Sequence, residues 1–99
     1  MPFPVSPRGL YPMPAISGYV TRPFSGREVA KVLTRHGFER VGGRGSHRKF
    51  LYVHPETGEK RVVTVPMHDE LAVGTLQEIA DQCGANDFHR FCDWLEASL

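Results

Sequence analysis

The stretch Gly42-Gly43-Arg44-Gly45-Ser46-His47-Arg48-Lys49 gathers the residue types and spacing best suited to chemistry in this sequence. Glycines let a backbone approach an anion closely and aim successive amides at it. Arg44, Arg48 and Lys49 add cationic contacts for a phosphate, and Ser46, next to Gly45, offers a hydroxyl donor. The run lacks Gly-Lys-Ser/Thr and does not open a helix, so it is not a triphosphate-hydrolysing loop. His47 stands where the glycines lead into an expected strand. An imidazole takes or gives a proton near neutrality. Beside a bound phosphodiester it can deprotonate a ribose 2′-hydroxyl or protonate the leaving oxygen. The two-residue period of a strand puts Lys49 on the same side as His47, about 7 Å along. There it can stabilise the added charge of a pentacoordinate phosphorus, while Arg48 points to the opposite face. The competing reading of His47 is a surface histidine in a glycine loop.

His68 has two readings: a second proton-transfer or substrate-contacting residue, or a histidine closing a loop through a backbone hydrogen bond. His36 and His54 fall at a helix end and a turn, and His89 sits beside an apolar helical stripe. Cys83, His89 and Cys92 can be drawn as three zinc ligands. No His or Cys pair has the usual short metal-binding spacing, and Cys92 lies on an apolar face, so buried free thiols are the expectation and no cofactor is implied. Two cysteines are too few for a disulfide scaffold.

At 99 residues the chain holds one core, and its composition is that of a soluble globular protein. No run approaches the ~18 apolar residues of a membrane span. Prolines interrupt the N-terminus, so no signal peptide is expected and the expected location is cytoplasmic. The net charge of +1 hides an asymmetry: residues 25–66 carry nine Lys or Arg against four Glu, and residues 67–99 carry Arg90 against seven acids. A basic middle suits a polyanionic partner such as nucleic acid. The acidic end argues against nonspecific coating of nucleic acid over the whole surface.

Six of the eight prolines lie in residues 1–23. Residues 1–24 are therefore expected to be an extended or disordered arm, with Leu10, Tyr11, Ile16 and Tyr19 available for docking, and residues 25–99 the folded domain. Ser25-x-x-Glu28 reads as a capping box. Val29, Val32 and Leu33 follow at helical spacing with Gly37 as the stop, predicting a helix over 26–36. Phe38–Val41 reads as a first strand, Gly42, Gly43 and Gly45 as a loop, 47–53 as a second strand, 54–58 as a hairpin turn and 60–65 as a third strand ended by Pro66. A second helix over 74–83 buries Leu76, Ile79, Ala80 and Cys83 and stops at Gly84. Asn86 or Asp87 caps a last helix with an apolar face of Phe88, Phe91, Cys92, Leu95 and Leu99. The expected class is α+β, a three-stranded antiparallel sheet covered on one face by helices.

Four landmarks, Gly37-Phe38, Arg44-Gly45-Ser46-His47, Val63-Thr64-Val65-Pro66-Met67-His68 and Gly74-Thr75-Leu76-x-x-Ile79, occur in an order and spacing that resemble the HicA-type (YcfA-like) toxin family over roughly residues 25–95. The resemblance implies a double-stranded-RNA-binding-like α-β-β-β-α fold, here with an extra C-terminal helix. It also implies a metal-independent mRNA interferase activity, a HicB-type antitoxin partner and a catalytic histidine at His47. It says nothing of residues 1–24 or of the acidic C-terminal third, whose Asp81 and Asp93 are candidates for an antitoxin with basic residues. The function expected is an endoribonuclease toxin. The alternatives are a noncatalytic RNA-binding module of the same fold, reading backbone shape through the same basic residues, and a protein-interaction domain with charged halves.

Overall fold

The computed structural model describes residues 22–99; residues 1–21, including the docking candidates Leu10, Tyr11, Ile16 and Tyr19, lie outside them. The first helix, α1, spans Gly26–Arg35. Its start is the expected capping box: the Glu28 amide donates to Ser25 Oγ at 3.1 Å and the Ser25 amide to Glu28 Oε1 at 3.0 Å. Arg22 also pairs with Glu28, at 3.0 Å. At the other end Gly37 turns left-handed (φ 93°). This lets the Phe38 amide reach Leu33 O and the Gly37 amide reach Thr34 O, the paired bonds that close a helix with a C-terminal glycine. The chain just upstream of the helix is packed too, since Phe24 is buried and its carbonyl accepts from the Leu71 amide.

Strands β1 (Glu39–Arg44), β2 (His47–Val53) and β3 (Lys60–Pro66) form an antiparallel meander in the order β1-β2-β3. The expected glycine loop is corrected here. Gly42 and Gly43 lie inside β1, opposite Lys49 and Arg48, and only Gly45 and Ser46 make the turn. A register shift between Arg40 and Gly42 takes up one extra residue, and glycine is at home in such an irregularity. At the second hairpin, His54 Nδ1 accepts from the Glu56 and Thr57 amides, and Gly58 (φ 76°) makes the reversal.

The last two helices are α2 (Val73–Gln82) and α3 (Phe88–Ala97). Of the two cap candidates Asp87 is used, accepting from the Arg90 amide at 3.1 Å. Helix α2 ends at Gly84 as expected, with the Ala85 amide on Ala80 O. Phe50, Val63 and Val65 point from the sheet into the core, where they meet Val29, Val32 and Leu33 of α1, Leu76 and Ile79 of α2, and Phe91 and Leu95 of α3. Each such side chain contributes about 1.5–3 kcal/mol by leaving water. The predicted face of α3 changes at two positions: Trp94 is buried, its ring 4.7 Å from that of His36, and Leu99 stays exposed beyond the helix end. The architecture is the α+β, α-β-β-β-α arrangement with a third helix.

The consequence for function is one-sidedness. The strand period that sends Phe50 inward sends His47 and Lys49 to the opposite, uncovered face, together with Val53 and Val62. Among the described residues no helix is long and apolar enough to cross a membrane.

Candidate nucleic-acid interface

The Gly45–Ser46 turn brings the end of β1 beside the start of β2, with Arg44 directly opposite His47. On the other side β3 pairs Lys49 with Thr64 and His47 with Pro66. These registers build an open hollow of about 580 Å³ lined by Gly43, Arg44, His47, Lys49 and Thr64. Among the described residues two cations and an imidazole line it and no carboxylate does. His47, Arg44 and Lys49 are all exposed. The field in the hollow therefore favours an anion, and the ring meets that anion without having to leave a core.

The candidates named from the sequence divide into two groups in space. Arg44, His47 and Lys49 converge on the hollow. Arg48 turns to the other face of the strand, where its Nη1 donates to Gly45 O at 2.7 Å; it braces the turn. Gly45 and Ser46 form the turn and do not line the hollow; the Ser46 carbonyl accepts from the Met67 amide at 2.6 Å. Because Gly42 and Gly43 run along an edge strand, their amides do not close around an anion as a loop would. Gly43 belongs to the glycine run named from the sequence but lines the hollow from β1, whereas Thr64 is a lining residue that run does not include. Thr64 was within reach, because placing the hairpin turn between Val53 and Lys60 sets the register that puts it opposite Lys49.

His68 does not line the hollow but comes beside His47 from a different element. Its ring lies 6.4 Å from that of His47, centroid to centroid, edge-on at 71°. Its loop is closed by the main chain, since it is the His68 carbonyl that accepts from the Gly26 amide at 2.9 Å. The ring is exposed. The other histidines have local roles: His36 Nδ1 lies 3.0 Å from Val32 O, His54 braces its turn, and His89 lies beside Phe88.

Cys83 and Cys92 are buried free thiols. Burial pushes the Cys83 thiol up to about 12, with the nearby Arg61 guanidinium acting in the opposite direction. Among the described residues no group of three or more His, Cys, Asp or Glu is placed to hold a metal ion.

A family model described as the HicA toxin of bacterial toxin-antitoxin matches residues 26–85. The chain belongs to the HicA toxin family. A search of curated proteins found no match. The match runs from the first residue of α1 to just past the end of α2, so it takes in the sheet, the hollow and both facing histidines. A HicA toxin is one half of a toxin–antitoxin pair, so a toxin role and an antitoxin partner come with the family.

Proposed function

We propose that this HicA toxin is a metal-independent endoribonuclease that cleaves mRNA at the hollow on the open face of the sheet, and that a HicB-type antitoxin neutralises it. The observation that carries this reading is the exposed His47 imidazole, set among Arg44 and Lys49 and facing a second imidazole at 6.4 Å.

An RNA phosphodiester enters the hollow with its non-bridging oxygens toward Arg44 and Lys49, whose charges offset its own. His47 accepts the proton of the adjacent ribose 2′-hydroxyl. The freed 2′-oxygen forms a bond to phosphorus, and the pentacoordinate species places its extra charge against Lys49. The bond from phosphorus to the 5′-oxygen then breaks, and that oxygen takes a proton from His68 or from water. Two positioned proton carriers suit this sequence, because the base and the acid stand on opposite sides of one phosphorus. The products are a 2′,3′-cyclic phosphate and a free 5′-hydroxyl, and every proton is supplied by side chain or solvent.

The deciding experiment is induction of wild type and His47→Ala in cells, scoring growth and mRNA integrity together. Wild type is expected to arrest growth and lose full-length mRNA, and the variant to do neither while still retaining RNA in a salt-sensitive manner. Cleavage by His47→Ala equal to wild type removes the reading. RNA retention without cleavage by either protein hands the case to the noncatalytic RNA-binding module.

A further inference from the structure

We propose that Gly26, the first residue of α1, is a positioning residue that holds His68 in register with His47; the inference rests on the nuclease reading above and deepens it. Gly26 is buried and its φ is not positive, so the backbone conformation there does not demand glycine. The demand is for space. A Cβ at this position would stand 2.1 Å from Pro66 O, 2.7 Å from Met67 Cα and 3.0 Å from Pro66 C. All three are backbone atoms of the segment leading into His68, and backbone cannot swing aside as a side-chain tip can. Glycine is also a poor helix former, which leaves the close approach as the physical reason for its use here.

The contact is a clamp with two jaws. On one side the Gly26 amide donates to His68 O at 2.9 Å, and on the other the Met67 amide donates to Ser46 O at 2.6 Å. Pro66–His68 is thus held between the start of α1 and the residue preceding His47. A methyl group at Gly26 forces the helix and this segment apart, and the segment carries the His68 ring with it. The three atoms nearest to that methyl all belong to Pro66 and Met67, so the push falls first on this segment and reaches His47 through the Pro66 pairing and the Met67–Ser46 bond. Gly42 and Gly74 show the contrast, with no atom within 4 Å of an added Cβ.

The test is steady-state cleavage of an RNA oligonucleotide by the full chain as wild type, Gly26→Ala, His68→Ala and the double variant. Misplacing a proton carrier by about 1 Å can cost about 10²-fold, so Gly26→Ala is expected to lose ~10- to 100-fold in kcat with KM within about twofold. The double variant should be no worse than His68→Ala alone, because the two act as a unit. Ser25→Ala removes a capping hydrogen bond in the same turn and is expected to lower the melting temperature with kcat unchanged. Wild-type kcat in Gly26→Ala, or losses that multiply in the double variant, overturn the proposal. If Gly26→Ala does not fold by circular dichroism, Pro66→Gly, which loosens the same segment, must show the kcat loss; wild-type kcat there overturns the proposal as well. A separate readout distinguishes this failure from failure of the nuclease reading. Nuclear Overhauser contacts between the His47 and His68 rings should disappear in Gly26→Ala and survive in Ser25→Ala, whether or not RNA is cut. Their persistence in folded Gly26→Ala overturns the positioning role by itself.

Discussion

The rings of His47 and His68 face each other edge-on across 6.4 Å, one on the first residue of β2 and the other just beyond the end of β3. Two backbone features bring them together: the pairing of His47 with Pro66 and the bond from the Met67 amide to Ser46 O. The hairpin thereby continues past its regular strands and delivers a second imidazole beside His47.

In the proposed mechanism, attack by a 2′-hydroxyl makes the ribose part of the reaction. A substrate with a 2′-deoxy or 2′-O-methyl nucleotide at the scissile position should resist cleavage while the unmodified RNA is cut to a 2′,3′-cyclic phosphate. Excess EDTA should leave the rate unchanged. Gel analysis of end-labelled oligonucleotides, with phosphatase treatment of the ends, checks all three expectations.

Lys49 and Arg48 are neighbours in sequence with opposite placements, and binding should separate them. Lys49→Ala should weaken RNA binding and reduce the slope of log K against log salt by about 0.7, the share of one phosphate contact on a single strand. Arg48→Ala loses its bond to Gly45 O and should lower stability by about 1 kcal/mol, leaving the salt slope unchanged. Filter binding across a salt series and denaturant titration give the two readouts.

The glycines of the first hairpin should rank by geometry. Gly43 has φ 136°, and a Cβ there would stand 2.2 Å from His47 O, so Gly43→Ala should cost about 2 kcal/mol or more. Gly45 has φ 61° in open space, and Gly45→Ala should cost ~1 kcal/mol. Gly42 has neither constraint, and Gly42→Ala should fall within about 0.5 kcal/mol of wild type. Urea unfolding of the three variants tests the order.

Cys83 should make the fold sensitive to base. Below pH 9 the thiol is protonated in folded and unfolded chains alike. From pH 9 towards 12 it ionises in the unfolded chain and stays protonated in the folded one. Its stabilising contribution is therefore complete below pH 9 and is lost as pH rises, at about 1.4 kcal/mol per pH unit. Cys83→Ala should show a correspondingly shallower loss of stability over that range, measured by denaturant titration at successive pH values.

The acidic C-terminal third also has a test. Asp81 is exposed on α2 beside Gln77 and Asn86, at a hollow between α2 and α3. If an antitoxin with basic residues covers this face, Asp81→Lys should slow association and weaken its salt dependence. Surface plasmon resonance with the cognate antitoxin reads both.

The order of elements was legible in the sequence because local chemistry specifies it. Ser25 with Glu28 starts α1, Gly37 and Gly84 stop helices through left-handed turns, and the alternation in residues 47–53 marks both the strand and its buried Phe50. His47 stood out for the same local reason, a proton carrier among cations, and its shared side with Lys49 follows from the strand period alone. Gly42 and Gly43 misled, because a run of glycines reads as a loop until a partner strand supplies its hydrogen bonds. Trp94 was missed because only the packing of α3 against His36 shows which edge of that helix is covered.

What residues close along the chain could settle was settled before folding: helix starts and stops, strand faces, and the placement of His47 and Lys49 on one side. Tertiary structure alone decided that His68 comes beside His47, and that the open side of the sheet holds the hollow. Those outcomes depend on strand register and on the approach of Gly26 to Pro66, contacts between residues far apart in the chain that no local pattern encodes.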